Sequence, residues 1–254
     1  MPEGRRRYAR SGRTRSLSGK LLLKQVSVMP DELDQKVYLF NCSNGTIDLL
    51  TNTLRPHDPM DVLTRIAPTK LGDKSRCPRW MAFLTQITGG DEDMINYLQC
   101  TAGYALTGTV SEHCVFFLHG VGRNGKGVFL NTLLHIVGEY GKTIPSNLFI
   151  ASERQSHPTG LTDLEGARLV VSSEIERGRR WDESLLKTLS GGGQIRSRCL
   201  YENFYEFSPT HKIFFAANDR PEVQGTDVGI WSRIKLIPFG VVINSVRHAV
   251  CALN

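Results

Sequence analysis

The stretch Val115–Leu130, VFFLHGVGRNGKGVFL, decides the fold of this chain. Its apolar start predicts a buried strand, and the apolar pattern that resumes after the glycine-rich turn predicts a helix. Gly120, Gly125 and Lys126 have the spacing G-x-x-x-x-G-K, in which backbone N–H groups surround phosphate oxygens and the lysine reaches the outer phosphates. The sequence therefore predicts a strand, a phosphate loop and a helix, with a nucleotide phosphate at the start of that helix.

Position 127 departs from the phosphate-loop motif. A Ser or Thr normally follows the lysine and gives Mg²⁺ a hydroxyl ligand, whereas this chain has Gly127. Mg²⁺ readily keeps water molecules in place of protein ligands, so we expect Gly127 to weaken catalysis rather than abolish it. The residues predicted to hold the nucleotide are Gly120, Gly122, Asn124, Gly125, Lys126 and Gly127.

The net charge of +6 comes from the first part of the chain. Residues 1–24 carry eight Lys and Arg against one Glu, so the remaining 230 residues are close to neutral. We interpret residues 1–36 as a basic, disordered tail that could help to hold phosphate backbones. An Arg- and Ser-rich start with few acids also resembles an organellar transit peptide, although disordered tails are the commoner origin of this composition.

The cysteine spacing argues against a zinc finger, and the apolar runs argue against a membrane protein. None of the six cysteines forms a C-x-x-C pair or has a His partner at zinc-finger spacing, so we expect reduced thiols. No apolar run approaches the ~18 residues that span a bilayer. We therefore expect a soluble, cytoplasmic protein with no membrane partner.

Residues 37–110 predict a small β-meander followed by a helical subdomain. Apolar and polar residues alternate over Val37–Leu54, which is typical of short strands joined by turns. A helical stripe starts near Pro78 and ends at Gly89, and Asp91 can cap a second helix that ends before Gly108.

Residues 111–240 predict an α/β core, and residues 241–254 a short tail. Strands separated by helices indicate a doubly wound parallel sheet, whose ligands bind at the carboxyl ends of the strands. The predicted strands are Val115–His119, Arg168–Ser173, Ile213–Ala217 and Lys235–Phe239, and the predicted helices are Lys126–Val137 and Trp181–Leu189.

Three polar features accompany these strands. Glu174 and Glu176 follow the second strand, where a carboxylate can hold Mg²⁺ and polarise the attacking water, although paired acids at a strand end can also be solvated loop residues. Asn218 follows the third strand and could contact the γ-phosphate, although a polar residue is common there. Arg233 could reach a neighbouring subunit's ATP or form an ordinary surface salt bridge.

The order of these motifs is similar to that of one enzyme family. From about Asn44 to Phe239 the chain resembles the superfamily-3 helicase domain of phage and plasmid primase-helicases, relatives of poxvirus and small-virus replicative helicases. The motifs that carry the resemblance are GVGRNGKG, RLVVSSEIERGRRW, LLKTLSGG, IRSR, YEFSP, HKIFFAANDRP and WSRIKLIPF. The resemblance implies an AAA+-like P-loop NTPase fold, with a parallel sheet flanked by helices. It also implies a DNA-stimulated ATPase that uses ATP and Mg²⁺, assembles as a hexameric ring and moves along single-stranded DNA.

The resemblance also implies roles for individual residues. Lys126 would contact the β- and γ-phosphates, Glu174 would serve Mg²⁺ and water, and Asn218 would act as a sensor. Arg233 would be an arginine finger in trans. Gln194–Phe207 would form a hairpin in the ring channel. The predicted DNA contacts are Lys187, Arg196 and Arg198, and the nearby aromatics Tyr201, Phe204, Tyr205 and Phe207 could stack on bases or pack within the hairpin.

The chain departs from the family pattern in ways that leave a second hypothesis open. Gly193 stands where the family has an acid, Ser232 stands where it has an arginine, and fifteen residues follow Phe239, so we expect no C-terminal DNA-binding region. The first hypothesis is an ATP-dependent helicase of phage, prophage or plasmid DNA replication, with other replication proteins as partners. The alternative is a truncated remnant that binds nucleotide or DNA without hydrolysis or unwinding. A small-molecule kinase is a distant third.

Overall fold

The computed structural model of the protein describes residues 28–29, 32–72, 77–151, 158–173, 180–218 and 228–243. Most of the predicted basic tail lies outside these ranges, as do Glu174 and Glu176. The described chain contains a three-stranded antiparallel meander, a five-stranded parallel sheet and a two-stranded hairpin. This confirms the predicted α/β class with a parallel sheet flanked by helices.

The predicted meander is present as strands β1 (Leu39–Cys42), β2 (Gly45–Asp48) and β3 (Thr53–Arg55). Residues 32–36, which we assigned to the tail, are joined by hydrogen bonds to the segment that follows the meander. The Asp34 carboxylate accepts hydrogen bonds from the backbone and hydroxyl of Thr64. The Lys36 ammonium lies 2.9 Å from Asp61. These polar contacts leave no apolar periodicity, which is why the sequence did not indicate them.

Two helices follow at the predicted positions, α1 (Pro78–Thr88) and α2 (Glu92–Leu106). Gly89 ends α1 in the left-handed conformation with φ 68°. The Asp91 carboxylate accepts a hydrogen bond from the Met94 N–H at 3.0 Å, so it caps α2 as predicted.

The remaining elements build the core of the chain. The parallel sheet consists of β4 (Val115–His119), β5 (Gly141–Thr143), β6 (Leu169–Ser173), β9 (Lys212–Ala217) and β10 (Ile234–Pro238), in the spatial order β10-β4-β9-β6-β5. The helices are α3 (Lys126–Val137), α4 (Glu183–Ser190) and α5 (Val228–Trp231), and the hairpin pairs β7 (Ile195–Ser197) with β8 (Tyr205–Phe207). None of the helices in the described ranges combines the length and apolar character needed to cross a membrane.

Alternating side chains of the sheet separate two hydrophobic clusters. Phe116 and Phe214 stack with ring centroids 4.6 Å apart on the face that packs against α2, α3 and the meander. Phe117 and Phe215 point to the other face, where they meet Trp181, α4 and the hairpin. The meander and the first two helices therefore share one core with the sheet instead of forming a separate one.

One sequence prediction needs correction at this level, and one strand was not predicted. The helix predicted from Trp181 begins only at Glu183, because the Asp182 carboxylate caps it by accepting from the Leu185 N–H at 2.9 Å. Trp181 instead forms a β-bridge with Ile150. The edge strand β5 was not predicted, since its sequence Gly-Lys-Thr has no apolar alternation.

Two buried cations attach the end of α2 to the amino ends of β6 and β9. The Arg168 guanidinium donates to the carbonyls of Leu106 and Leu39. The Lys212 side chain is 1% exposed, and its ammonium donates to carbonyls of Thr107, Thr109 and Thr210. Cations near a helix C-terminus satisfy its last carbonyls, so the helical region is held firmly on the sheet.

Candidate nucleotide site

The phosphate loop connects β4 to α3 through backbone conformations that require glycine. Gly120 has φ 147° and Gly125 has φ 89°. A Cβ on Gly120 would lie 2.1 Å from the Phe239 carbonyl oxygen, so no side chain fits there. The loop therefore packs directly against the chain that leaves β10, and it ends at the N-terminus of a helix of twelve residues.

Helix α1 supports the loop from the other side. A Cβ on Gly125 would lie 2.5 Å from Ile87 Cγ2 and 3.3 Å from the Phe83 ring. The Trp80 ring stacks on Phe129 of α3 at 5.7 Å. The sequence predicted these aromatic and apolar residues as a core stripe but contained no signal that they would contact the loop.

Lys126 is the first residue of α3 and is 8% exposed. Its ammonium donates to the Gly120 carbonyl and to Asn124 Oδ1, the latter at 3.2 Å. Burial lowers the pKa of Lys126 from its ordinary value. Both acceptors are neutral, and no carboxylate in the described part of the chain pairs with this cation. A buried ammonium in this environment suits the oxygens of a phosphate.

Gly127 leaves room for the missing hydroxyl, because no atom lies within 4 Å of a Cβ built there. Among the described residues no group of three His, Cys, Asp or Glu could hold a metal ion. The predicted Mg²⁺ ligand Glu174 and its neighbour Glu176 lie outside the described ranges, so their roles stay predictions. Strand β6, which precedes them, runs parallel to β9 and ends at the same edge of the sheet as the loop.

Asn218 lies at this edge too. It follows β9, which is the strand between β4 and β6. Its carbonyl accepts a hydrogen bond from the Gly120 N–H at 3.3 Å, and its side chain is exposed. The structure therefore brings Asn218 next to the phosphate loop, and its role as a sensor stays a prediction.

Arg233 lies at the opposite edge of the sheet. Its carbonyl accepts from the Val115 N–H at 2.9 Å, at the start of β4, and its guanidinium donates to Ser190 Oγ at 3.1 Å. The five residues of β4 separate it from the loop by roughly 16 Å at ~3.3 Å per residue. Arg233 is therefore too far from the loop of its own chain to contact a phosphate bound there.

The hairpin carries the predicted DNA contacts. The guanidinium carbons of Arg196 and Arg198 lie 4.4 Å and 4.8 Å from the centroid of the Phe204 ring. Tyr201 is 97% exposed, whereas Phe207 is buried in the core. The guanidinium groups of both arginines therefore pack on the same Phe204 ring. Lys187 lies outside the hairpin, half-buried on α4. Tyr205 lies on β8, where its hydroxyl donates to the Glu165 carboxylate at 3.1 Å.

Two family models match the chain. Residues 5–89 match the model described as D5 N terminal like, and residues 118–233 match a family of unknown function, DUF5906. Over 215 residues the chain is 29% identical to "Putative helicase L207/L206" of Acanthamoeba polyphaga mimivirus. It is 24% identical over 230 residues to "Putative helicase 184R" of Invertebrate iridescent virus 6. The chain is related to viral proteins that are named putative helicases. This confirms the resemblance that the motif order indicated.

The relatives are much longer than the described domain. Each of these two alignments covers 82% of this chain but only 22% and 23% of the viral proteins. The chain thus spans about a fifth of their length. The fold is similar to the apo structure of the NrS-1 C-terminal region, with a TM-score of 0.56 and 15% identity over 73% of this chain and 45% of that one. A second form of that region matches with a TM-score of 0.54 and 17% identity.

Proposed function

We propose that this chain is the ATPase unit of an ATP-dependent DNA helicase, which couples ATP hydrolysis to movement along single-stranded DNA. The observation that carries the proposal is the buried Lys126 ammonium, which ends a phosphate loop and has only neutral acceptors among the described residues. The names of the viral relatives support the helicase class.

The residues of the proposed site would have the following tasks. The backbone of residues 120–125 and the Lys126 ammonium bind and orient the phosphates. Asn218 holds the γ-phosphate or its attacking water through its amide. Glu174 and Glu176 accept the proton or orient that water. When bound, Mg²⁺ neutralises charge on the phosphate oxygens, and Glu174 is the residue that would hold it.

Arg233 would complete the site of a neighbouring subunit. Because it lies at the edge away from its own loop, a finger role requires an oligomer, for which a hexameric ring is the proposed form. An arginine finger contributes on the order of 10³–10⁵ in rate by stabilising charge in the transition state. ATP turnover should therefore depend on assembly.

The hairpin would bind the DNA strand. Arg196 and Arg198 lie beside Phe204, and Tyr201 is exposed near them, so phosphate contacts and base stacking could be made together. Removing both arginines should lower the affinity for single-stranded DNA. It should also lower the slope of log affinity against log salt concentration by up to the equivalent of about two phosphate contacts.

The decisive experiment measures ATP hydrolysis with and without single-stranded DNA. We expect DNA-stimulated turnover in the wild type and a loss on the order of 10² or more in Lys126→Ala. Lys70→Ala removes an exposed lysine of the segment before α1 and should behave as the wild type. If ATP turnover is at the background rate in both the wild type and Lys126→Ala, the proposed ATPase activity is refuted.

A mixing experiment tests Arg233 separately. Lys126→Ala retains the finger but lacks a working loop, and Arg233→Ala retains the loop but lacks the finger. Each should be inactive alone, and a mixture should recover part of the activity, because some loops then meet an intact Arg233. If the mixture is as inactive as its components, or if Arg233→Ala alone is active, the role in trans is wrong.

Gly127 favours a second function, nucleotide binding without hydrolysis, because the chain lacks the hydroxyl that normally binds Mg²⁺. Titration with a fluorescent ATP analogue distinguishes the two. Binding that Lys126→Ala abolishes, combined with no turnover at any DNA concentration, would select this alternative.

A further inference from the structure

Asn124 is buried inside the phosphate loop, with 2% of its surface exposed. Its amide nitrogen donates to the Phe239 carbonyl at 2.8 Å, and its amide oxygen accepts from the Lys126 ammonium at 3.2 Å. Both ends of the side chain are therefore engaged by the protein. The sequence placed Asn124 among the nucleotide ligands, whereas the structure gives both polar ends of its side chain partners within the protein.

The two partners determine which way the amide points. A backbone carbonyl only accepts hydrogen bonds, and an ammonium only donates them. The reversed amide would place oxygen against the Phe239 oxygen and nitrogen against the Lys126 ammonium. Of the side chains with this size, aspartate lacks the donor and leucine lacks both groups. Asparagine alone satisfies both contacts.

The Phe239 carbonyl is a rigid anchor. Phe239 follows β10, and its N–H donates to the His119 carbonyl at 2.7 Å, at the end of β4. Its ring is 2% exposed and meets Phe129 of α3 edge-on at 6.2 Å. Asn124 is thus hydrogen-bonded to a residue whose backbone is fixed by β4 and whose ring packs against α3.

We propose that Asn124 is a positioning residue, which holds the Lys126 ammonium at the loop from the fixed end of β10 and does not itself bind phosphate. This inference rests on the proposed function of the loop. Because the Asn124 oxygen is neutral, phosphate oxygens can replace it without separating an ion pair, and their negative charge adds a Coulomb attraction to the ammonium that the amide lacks. The ammonium is placed in advance without being tied to a competing anion.

The test reads the state of Lys126 without any nucleotide. Acetic anhydride reacts only with the neutral amine, and mass spectrometry gives the acetylation rate of each lysine. In Asn124→Asp a carboxylate lies beside the ammonium, favours its charged form and should slow acetylation by about tenfold or more. In Asn124→Leu the acceptor is lost, so acetylation should become faster. Asn131→Asp makes the same chemical change on the exposed side of α3 and should leave the rate unchanged.

Opposite signs for the two variants distinguish positioning from a general loosening of the loop. If Asn124 only maintained the fold, both variants would expose Lys126 and acetylation would become faster in both. That result, or rates equal to those of Asn131→Asp, would overturn the proposal. If Asn124→Leu does not fold, the comparison of Asn124→Asp with Asn131→Asp still decides it.

Nucleotide affinity completes the experiment. Asn124→Asp should bind a fluorescent ATP analogue at least about tenfold more weakly, because phosphate must displace a carboxylate from Lys126, and Asn131→Asp should match the wild type. Unchanged affinity in Asn124→Asp would also contradict the proposal. If the wild type binds no nucleotide while the acetylation rates shift as expected, the proposed function fails and the role of Asn124 in holding Lys126 remains.

Discussion

Replacing Gly120 by alanine tests the central contact of the loop. The new Cβ would lie 2.1 Å from the Phe239 oxygen and 2.7 Å from the Asn124 amide nitrogen, and a side chain would have to adopt φ 147°. The backbone strain costs ~1–3 kcal/mol. Separating Asn124 from Phe239 leaves buried polar groups without partners, which costs about 1–3 kcal/mol more for the bond. We expect Gly120→Ala to lower the free energy of unfolding by about 2–6 kcal/mol.

Urea and thermal unfolding of the nucleotide-free protein measure this effect. For a chain of this size, each kcal/mol shifts Tm by roughly 2–4 °C, so Gly120→Ala should melt at least ~4 °C below the wild type. Gly122→Ala is the matched control in the same loop, because no atom lies within 4 Å of a Cβ there. It should stay within ~1 kcal/mol of the wild type. Equal melting of the two variants would refute the reasoning.

Three further outcomes follow from the structure. Gly127→Ser should raise stability by about 0.5 kcal/mol through helix propensity and increase Mg²⁺-dependent ATP turnover; lower turnover in a steady-state assay would contradict a metal-ligand role for the new hydroxyl. Lys212→Met should cost about 2–4 kcal/mol in urea unfolding, because it leaves buried carbonyls without a donor, and wild-type stability would disprove this. The Arg55 hydrogen bond, followed by that from Lys36, holds the pKa of Asp61 below its ordinary 3.8. Its stabilisation is therefore present above that value and lost as pH falls through the lowered pKa, so Asp61→Asn should unfold with less pH dependence below about pH 4.

Local signals explain why the centre of the fold was predictable. The strand β4 and the helix α3 have the predicted bounds, because an apolar run, a glycine-rich turn and a helical stripe follow one another without a gap. The caps Asp91 and Gly89 act on residues within one turn. Such features depend on neighbours in sequence, and a single sequence contains all of them.

Contacts between distant segments explain what the sequence did not reveal. Gly125 contacts Ile87, and Asn124 bonds to a carbonyl 115 residues further along. Neither contact leaves a periodicity or a spacing in the chain. The spatial order of the strands is similarly hidden, since β9 lies between β4 and β6 although it follows both in sequence.

The sequence placed Arg233 just before a predicted strand, and the sheet shows that this strand, β10, pairs in parallel with β4, which leads into the phosphate loop. In a parallel sheet, the phosphate loop is at the carboxyl edge, and Arg233 is at the amino edge of the adjacent strand. A finger role then requires the amino edge of one subunit to meet the carboxyl edge of the next. Where these two edges belong to different surfaces, the interface is heterologous, and repeated contacts of this kind either close into a ring or extend as a filament. A symmetric dimer meets the same requirement only if one self-complementary surface includes both edges, so that each Arg233 reaches the loop of its partner. The position of one arginine therefore restricts the assemblies in which the proposed ATPase could work.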